Sequence, residues 1–355
     1  MGTITVVRRR AGASGFRRWL WCVQLLWLVL PGIATAGPDP STQTPPPPAA
    51  PVAEDAGDVA DAALLAAPTT RDHIGRVVVP VMINGQGPFR FIVDTGASHS
   101  TVSPALVQTL GLKPTGVRSI LLDGITGSAQ VSSVTIDRLQ AGALTLEGAP
   151  MPVVWAPVMA GADGILGAAG LSGQSLVVDF RHNRVVIANE VEATMRAGST
   201  RLHGLRLTDG LITLDTLVGR VPVRAVVDTG SPRTLGNLAL RDAVRLPRSR
   251  GVMARVTSVY GATEDVESGE VIAAPVISVG SLRILDTDVV CGDFHIFKVW
   301  RMEHKPAMII GMDVLGTVTS LGIDFKNQDV YLASARVTGD PFRPGHASTG
   351  PVVSH

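Results

Sequence analysis

The feature that most constrains this chain is that it repeats itself. Arg76 to Gly85, followed by Phe89 to Gly96, is matched by Leu211 to Gly219 followed by Val223 to Gly230. In each copy a turn glycine, Gly85 or Gly219, stands nine residues before an aspartate, Asp94 or Asp228. A further glycine, Gly127 or Gly261, follows that aspartate by thirty-three. Late in each copy Ile165, Leu166 and Gly167 correspond to Ile309, Ile310 and Gly311, and the run from Val178 to Ala188 corresponds to that from Ile323 to Ala333. Five landmarks in one order predict two lobes of one design related by an approximate two-fold axis.

Each copy reads as strands. Asn84-Gly85 between alternating apolar runs is a hairpin signal. One short helix per copy is expected after the aspartate loop. Ser103 and Pro104 supply its cap and first turn, Leu106, Val107 and Leu110 its apolar face and Gly111 its stop. Asn237, Leu240, Ala243 and Val244 fill those places in the second copy. The 38 glycines and 24 prolines suit the many turns of an all-β protein. No sustained strand–helix alternation appears, which excludes a doubly wound nucleotide fold. A net charge of +1 gives no reason to expect a nucleic-acid partner.

The ends read differently. Arg8, Arg9, Arg10, Arg17 and Arg18 precede an uncharged apolar run from Trp19 to Leu30, and Ala34-Thr35-Ala36 offers a small-residue cleavage site. Residues 1–36 are expected to be an export signal giving a periplasmic or secreted protein; the alternative is an uncleaved anchor, the one membrane contact expected. Residues 37–71 form a Pro/Ala-rich linker without Lys or Arg over 37–70, in which 58–67 suggests a short helix. Residues 72–198 and 199–335 are the two lobes, and 336–355 is a tail with no core-forming pattern. Of two cysteines, Cys22 lies in the apolar run; Cys291 reads as a small buried residue, since no His/Asn set accompanies it.

The chemistry concentrates in a tripeptide that occurs twice, as Asp94-Thr95-Gly96 and Asp228-Thr229-Gly230, each directly after an apolar strand. A single such tripeptide is an ordinary strand-end turn. Two at equivalent points of a repeat would meet at the shared axis. Carboxyls brought that close cannot both ionise, so the pair keeps one proton. The ionised member can take a proton from water while the other donates to a carbonyl oxygen, which needs no nucleophilic side chain, metal or cofactor. Gly96 and Gly230 permit the tight turn and close approach, and Thr95 and Thr229 can bond across the axis.

With these residues the chain resembles the pepsin/retropepsin superfamily of aspartic peptidases. The resemblance rests on Phe91 to Ser98, Val226 to Pro232, Gly164 to Gly167 and Met308 to Gly311, and spans nearly all of residues 75–333. Each half looks like a retropepsin protomer, with both halves fused in one chain as in pepsin. The resemblance implies a monomeric endopeptidase acting on peptide or protein substrates, with Asp94 and Asp228 catalytic and Ser98 and Ser231 among the dyad's supports. It implies that the strands ending in Gly167 and Gly311 lie beneath the aspartate loops. It places flap hairpins at Gly124 to Gly127 and at Tyr260-Gly261. A non-catalytic peptide-binding module of the same fold is the competing function. Three departures stand out. Pro232 replaces a small polar residue, the flap-position tyrosine is in the second half, and no basic pro-segment precedes the lobes. Ala97 in one loop and Ser231 in the other predict unequal carboxyls, with the Ser231 hydroxyl donating to Asp228 and favouring its charge. His99 is expected to be a bystander, and Asp179 and Asp324 to anchor turns.

Overall fold

A computed structural model describes residues 5–8, 67–68, 70–71, 75–113, 119–154, 159–244 and 254–334. The apolar run 19–30, the expected helix at 58–67 apart from Ala67, and the tail 336–355 lie outside the described residues.

The hairpin signal is met directly. Asn84 and Gly85 have φ of 50° and 77°, the left-handed pair that joins Val77–Ile83 to Gln86–Asp94 in two residues. The second strand then meets a parallel partner, Gly164–Gly167, with Phe91 opposite Gly164 and Asp94 opposite Gly167. Thr101–Val102 closes the far side antiparallel. The second half repeats this set. Ile212–Val218 pairs with Val221–Val227, which lies parallel to Ala307–Ile310, which in turn meets Leu235–Gly236. Phe91, Val93, Leu166, Val226 and Ile309 are fully buried, so the strands delivering both aspartates run through the core.

The helices form for the reasons their ends suggest. Ser103 caps Pro104–Thr109 by accepting the Leu106 N–H at 3.1 Å. Asn237 Oδ1 does the same for Leu238–Val244, accepting the Leu240 N–H at 2.8 Å. Asn237 also donates to the carbonyls of Met302 and Lys305 at 2.8 and 2.7 Å, fastening the helix to the segment that leads into Ala307–Ile310. The helix expected after each aspartate loop is present, and further short helical segments accompany it. His295–Val299 follows the strand Thr287–Cys291 in the second copy, burying Ile296 and Phe297. Short turns Ala168–Leu171 and Met312–Leu315 follow Gly167 and Gly311.

The halves share a six-stranded antiparallel sheet. At its centre Ser175–Asp179 of the first half pairs with Ser320–Asp324 of the second, Val177 opposite Gly322. Ser175 faces Asp324 and Asp179 faces Ser320, so the pairing maps onto itself when the halves are exchanged. This places a two-fold axis through the sheet. Asp179 and Asp324 each hold the turn after their strand: the Arg181 N–H donates to one at 3.0 Å and the Asn327 N–H to the other at 2.9 Å. Short strands reach upstream of residue 72. Ala67–Pro68 adds to Arg184–Val185, and Thr70–Arg71 to Val77–Val78. Thr5–Arg8 lies parallel along Leu282–Leu285 at the edge of the second-half sheet.

A ladder shared across the axis couples the lobes energetically. Calorimetry should show one unfolding transition with equal calorimetric and van't Hoff enthalpies. The first lobe expressed alone to residue 198 should fail to fold, because Ser175–Asp179 would lose its central partner. Two resolved transitions, or a stable isolated lobe, would contradict the coupling.

Candidate active site

The strands Gln86–Asp94 and Val221–Val227 deliver the two aspartate loops to the axis, where a reciprocal set of hydrogen bonds joins them. The Thr95 hydroxyl donates to the Val227 carbonyl and the Thr229 hydroxyl to the Val93 carbonyl, both at 2.7 Å. Each hydroxyl also accepts the other threonine's N–H, at 3.2 and 3.1 Å. Both side chains are buried. Each hydroxyl is thus saturated by the opposite half, which fixes the loops in position and orientation. Buried polar groups satisfied in this way are costly to strip of a partner.

The glycines are a consequence of that closeness. A methyl group on Gly96 would overlap the Asp228 carboxyl, and one on Gly230 would overlap the Asp94 carboxyl. Any side chain at either position would push the halves apart. Each carboxyl accepts its own loop's glycine N–H, Gly96 to Asp94 at 2.9 Å and Gly230 to Asp228 at 2.8 Å. The two carboxyls also hydrogen-bond to each other.

The strands beneath hold the loops from below, identically in the two halves. Gly167 N–H donates to the Ser100 hydroxyl at 3.1 Å and Gly311 N–H to the Thr234 hydroxyl at 3.2 Å. The Ala97 carbonyl accepts from Ala168 N–H and the Ser231 carbonyl from Met312 N–H, both at 2.8 Å. A methyl on Gly167 would lie 2.6 Å from the His99 carbonyl, and one on Gly311 would lie 2.5 Å from that of Arg233. Ile165, Leu166, Ile309 and Ile310 bury their side chains along these strands. The Ser98 carbonyl accepts from Ala169 N–H at 3.0 Å, so Ser98 contributes through its backbone. Pro232 sits exposed, and the carbonyl of Ser231 before it keeps the bond to Met312 N–H.

Burial pushes both carboxyls above the usual carboxylate range. Asp228 is raised well above it, because the neighbouring Asp94 charge adds to the effect of burial. The expected Ser231 asymmetry is therefore corrected. The Ser231 hydroxyl donates to the Arg233 carbonyl at 2.7 Å, two residues along its own loop, and not to Asp228. What Asp228 receives from Ser231 is the backbone N–H, at 3.0 Å. A serine in a turn reaches its own chain more readily than a neighbouring carboxylate.

Two hairpins meet above the loops. The first, Ile120–Asp123 with Ser128–Val131, turns through Gly124 to Gly127, where the Gly124 N–H donates to the Gly127 carbonyl at 2.8 Å. The second, Arg255–Tyr260 with Val266–Ala274, turns through Gly261 to Asp265. Their tips touch: the Thr126 and Thr263 hydroxyls are 3.0 Å apart and buried. A methyl on Gly261 would lie 2.6 Å from the Thr126 hydroxyl, and one on Gly127 would overlap the Asp265 carboxylate. Tyr260 is 56% exposed, outside this contact. Leu122 and Ala262 of the hairpins join Ala97 of the first loop against an apolar cluster that includes Val78, Ile92 and Ile165. The first hairpin is also tied to the other lobe beside its turn. Ser128 Oγ donates to Asp123 and lies 2.8 Å from His295 Nε2.

Several of these residues are absent from the sequence expectations. Ser100 and Thr234 were within reach, since they are hydroxyl residues at the same interval that separates Asp94 from Asp228. Thr126, Thr263, Ser128 and His295 carry no such signal. His99 is exposed, as expected of a bystander. Cys291 is buried and its thiol is pushed up to about 12 by burial, which suits an inert core residue.

Compared with known families, residues 79–169 and 214–314 each match a model described as aspartyl protease, together more than half of the chain. Among curated proteins no match was found.

The raised carboxyls have a consequence for stability. A buried acid with a raised folded pKa is favoured protonated, so its contribution is greatest in acid. That contribution is lost as pH climbs from the ordinary carboxylate value of 3.8 through the folded value. Asp228→Asn, which cannot ionise, should melt at a higher temperature than the parent at neutral pH. The gap should close as pH falls toward about 4. A variant less stable than the parent at neutral pH would contradict the shift.

Proposed function

The chain belongs to the aspartyl protease family, and from that premise we propose that it is an endopeptidase in which Asp94 and Asp228 together activate a water molecule. The observation carrying this is the pair itself. Two carboxyls in hydrogen-bond contact, held by bonds that cross the axis, share one proton at working pH. A water between them loses a proton to the ionised member as its oxygen bonds the scissile carbonyl carbon. The protonated member gives its proton to the carbonyl oxygen. As the resulting diol collapses, one of its hydroxyls gives its proton to the dyad while the dyad gives one to the leaving amine, so the pair ends as it began.

A pure peptide-binding protein gains nothing from two mutually repelling carboxyls, which favours turnover over binding alone. The paired hairpins would open to admit an extended peptide and close over it, excluding water and offering backbone groups from Gly124, Gly127 and Gly261. The apolar cluster between Ala97, Leu122 and Ala262 suits aliphatic side chains beside the cut bond. Both carboxyls come from one chain, so the active form is proposed to be a monomer. The basic segment, apolar run and Ala34-Thr35-Ala36 support export with cleavage after Ala36, in which case Leu282–Leu285 would lose Thr5–Arg8 as its edge partner.

Asp94→Asn and Asp228→Asn should each lower turnover of a peptide library by at least about a thousandfold, since neither carboxyl can serve as acid and base at once. The parent should show a bell-shaped pH dependence. Peptide binding without cleavage by the parent would replace this proposal with the binding function.

A further inference from the structure

The two halves agree closely around the dyad, and the largest disagreement is a charge. In the first half Val78 faces Ile92 and Val79 faces Phe91 across the antiparallel pair. Arg76 stands just before the first of these strands, and carrying this register two residues past its last pair points it toward Asp94, on which its charge acts. In the second half Thr213 faces Val226, and the same step sets Leu211 opposite Asp228. Residues directly opposite in an antiparallel pair share a face, with Cβ atoms about 5 Å apart. Arg76 is only 3% exposed and Leu211 is fully buried. One carboxyl therefore has a buried guanidinium across the strand pair, and its twin has an isobutyl group.

We propose that Arg76, set against Leu211, is the positioning residue that breaks the symmetry of the dyad, making Asp94 the carboxylate that takes the proton from water and Asp228 the acid that protonates the carbonyl oxygen. This rests on the peptidase function above and assigns the two roles within it. The water proton passes to Asp94 as the carbon–oxygen bond forms, and the Asp228 proton passes to the substrate oxygen. Arg76 itself neither gives nor accepts a proton. A buried cation beside one of two coupled acids favours ionisation there, because little solvent screens it. Asp228 and Arg76 are among the leading influences on Asp94, and Asp94 is among those on Asp228. In keeping with this, burial raises both groups; the contact with Asp228, the Gly96 N–H and then the Arg76 charge pull Asp94 back, while the Asp94 charge lifts Asp228 further. A fixed polarity also gives the cleft a direction, since the water is activated from the first-lobe side.

The test does not depend on turnover. Carbon-13 labelled aspartate is titrated by NMR in Asp228→Asn and in Asp94→Asn, so that each remaining carboxyl is observed without its charged twin. Asp94 should titrate at lower pH than Asp228. Equal values or the reverse order would overturn the inference, whether or not the parent cleaves peptides. In the enzyme, Arg76→Met should move the acidic limb of the kcat/KM profile to higher pH and the basic limb by less. The rate on the acidic limb should fall by about three- to tenfold, and Arg76→Lys should restore it. A folded Arg76→Met with an unmoved profile, or with both limbs moved equally, would also overturn it. A parent that cleaves nothing would instead remove the peptidase function and leave the titration order to decide the role of Arg76.

Discussion

Everything in this molecule turns on how closely two short loops approach at the axis. The Cα atoms of Gly96 and Gly230 lie so near the opposite carboxyls that no side chain fits at either position. That contact sets the spacing of the dyad, and the spacing raises the pKa of both acids through burial and, for Asp228, through the Asp94 charge. It also explains why Thr95 and Thr229 each give a hydroxyl to the other half. A closed loop pair leaves the Val93 and Val227 carbonyls without water, and the threonines satisfy them. The shared sheet at the base, with Ser175–Asp179 against Ser320–Asp324, keeps the halves in the register this contact needs.

Around that centre the chain is symmetric where backbone is at work and asymmetric where side chains meet the cleft. Ser100 and Thr234, Ala168 and Met312, Gly167 and Gly311 occupy equivalent places and make equivalent bonds. Arg76 and Leu211 do not correspond in chemistry. Nor does the first hairpin have the setting of the second: it forms a separate two-stranded sheet and leans on His295 of the other lobe. Fusing two halves into one chain makes such differences available, because each copy can vary without its twin. A dyad with one fixed acid and one fixed base is one use of that freedom.

Much of this was legible in the sequence, for physical reasons. The repeat set the number of lobes. The Asn84-Gly85 turn, the Ser103 and Asn237 caps and the paired Asp-Thr-Gly motifs are local signals whose geometry needs only a few neighbouring residues. The family match over 79–169 and 214–314 agrees with the two-half organisation. What escaped depends on where distant segments come to rest. The Thr126–Thr263 contact joins residues 137 apart and the Ser128–His295 contact joins residues 167 apart. The Ser231 expectation went wrong more instructively. Position in the loop identified a hydroxyl near Asp228 but not its rotamer, and the nearer Arg233 carbonyl takes it. The asymmetry on which the proposed acid and base roles rest lies at Arg76, outside the loop itself.

The central claim is that both carboxyls of one chain form one complete site. Titrating the purified protein with a tight-binding statine-type transition-state analogue, while sedimentation reports its mass, tests this directly. A single site built from both halves predicts one inhibitor bound per chain at the monomer mass. One inhibitor per two chains, or binding confined to a dimer, would show that the halves of one chain do not complete the site.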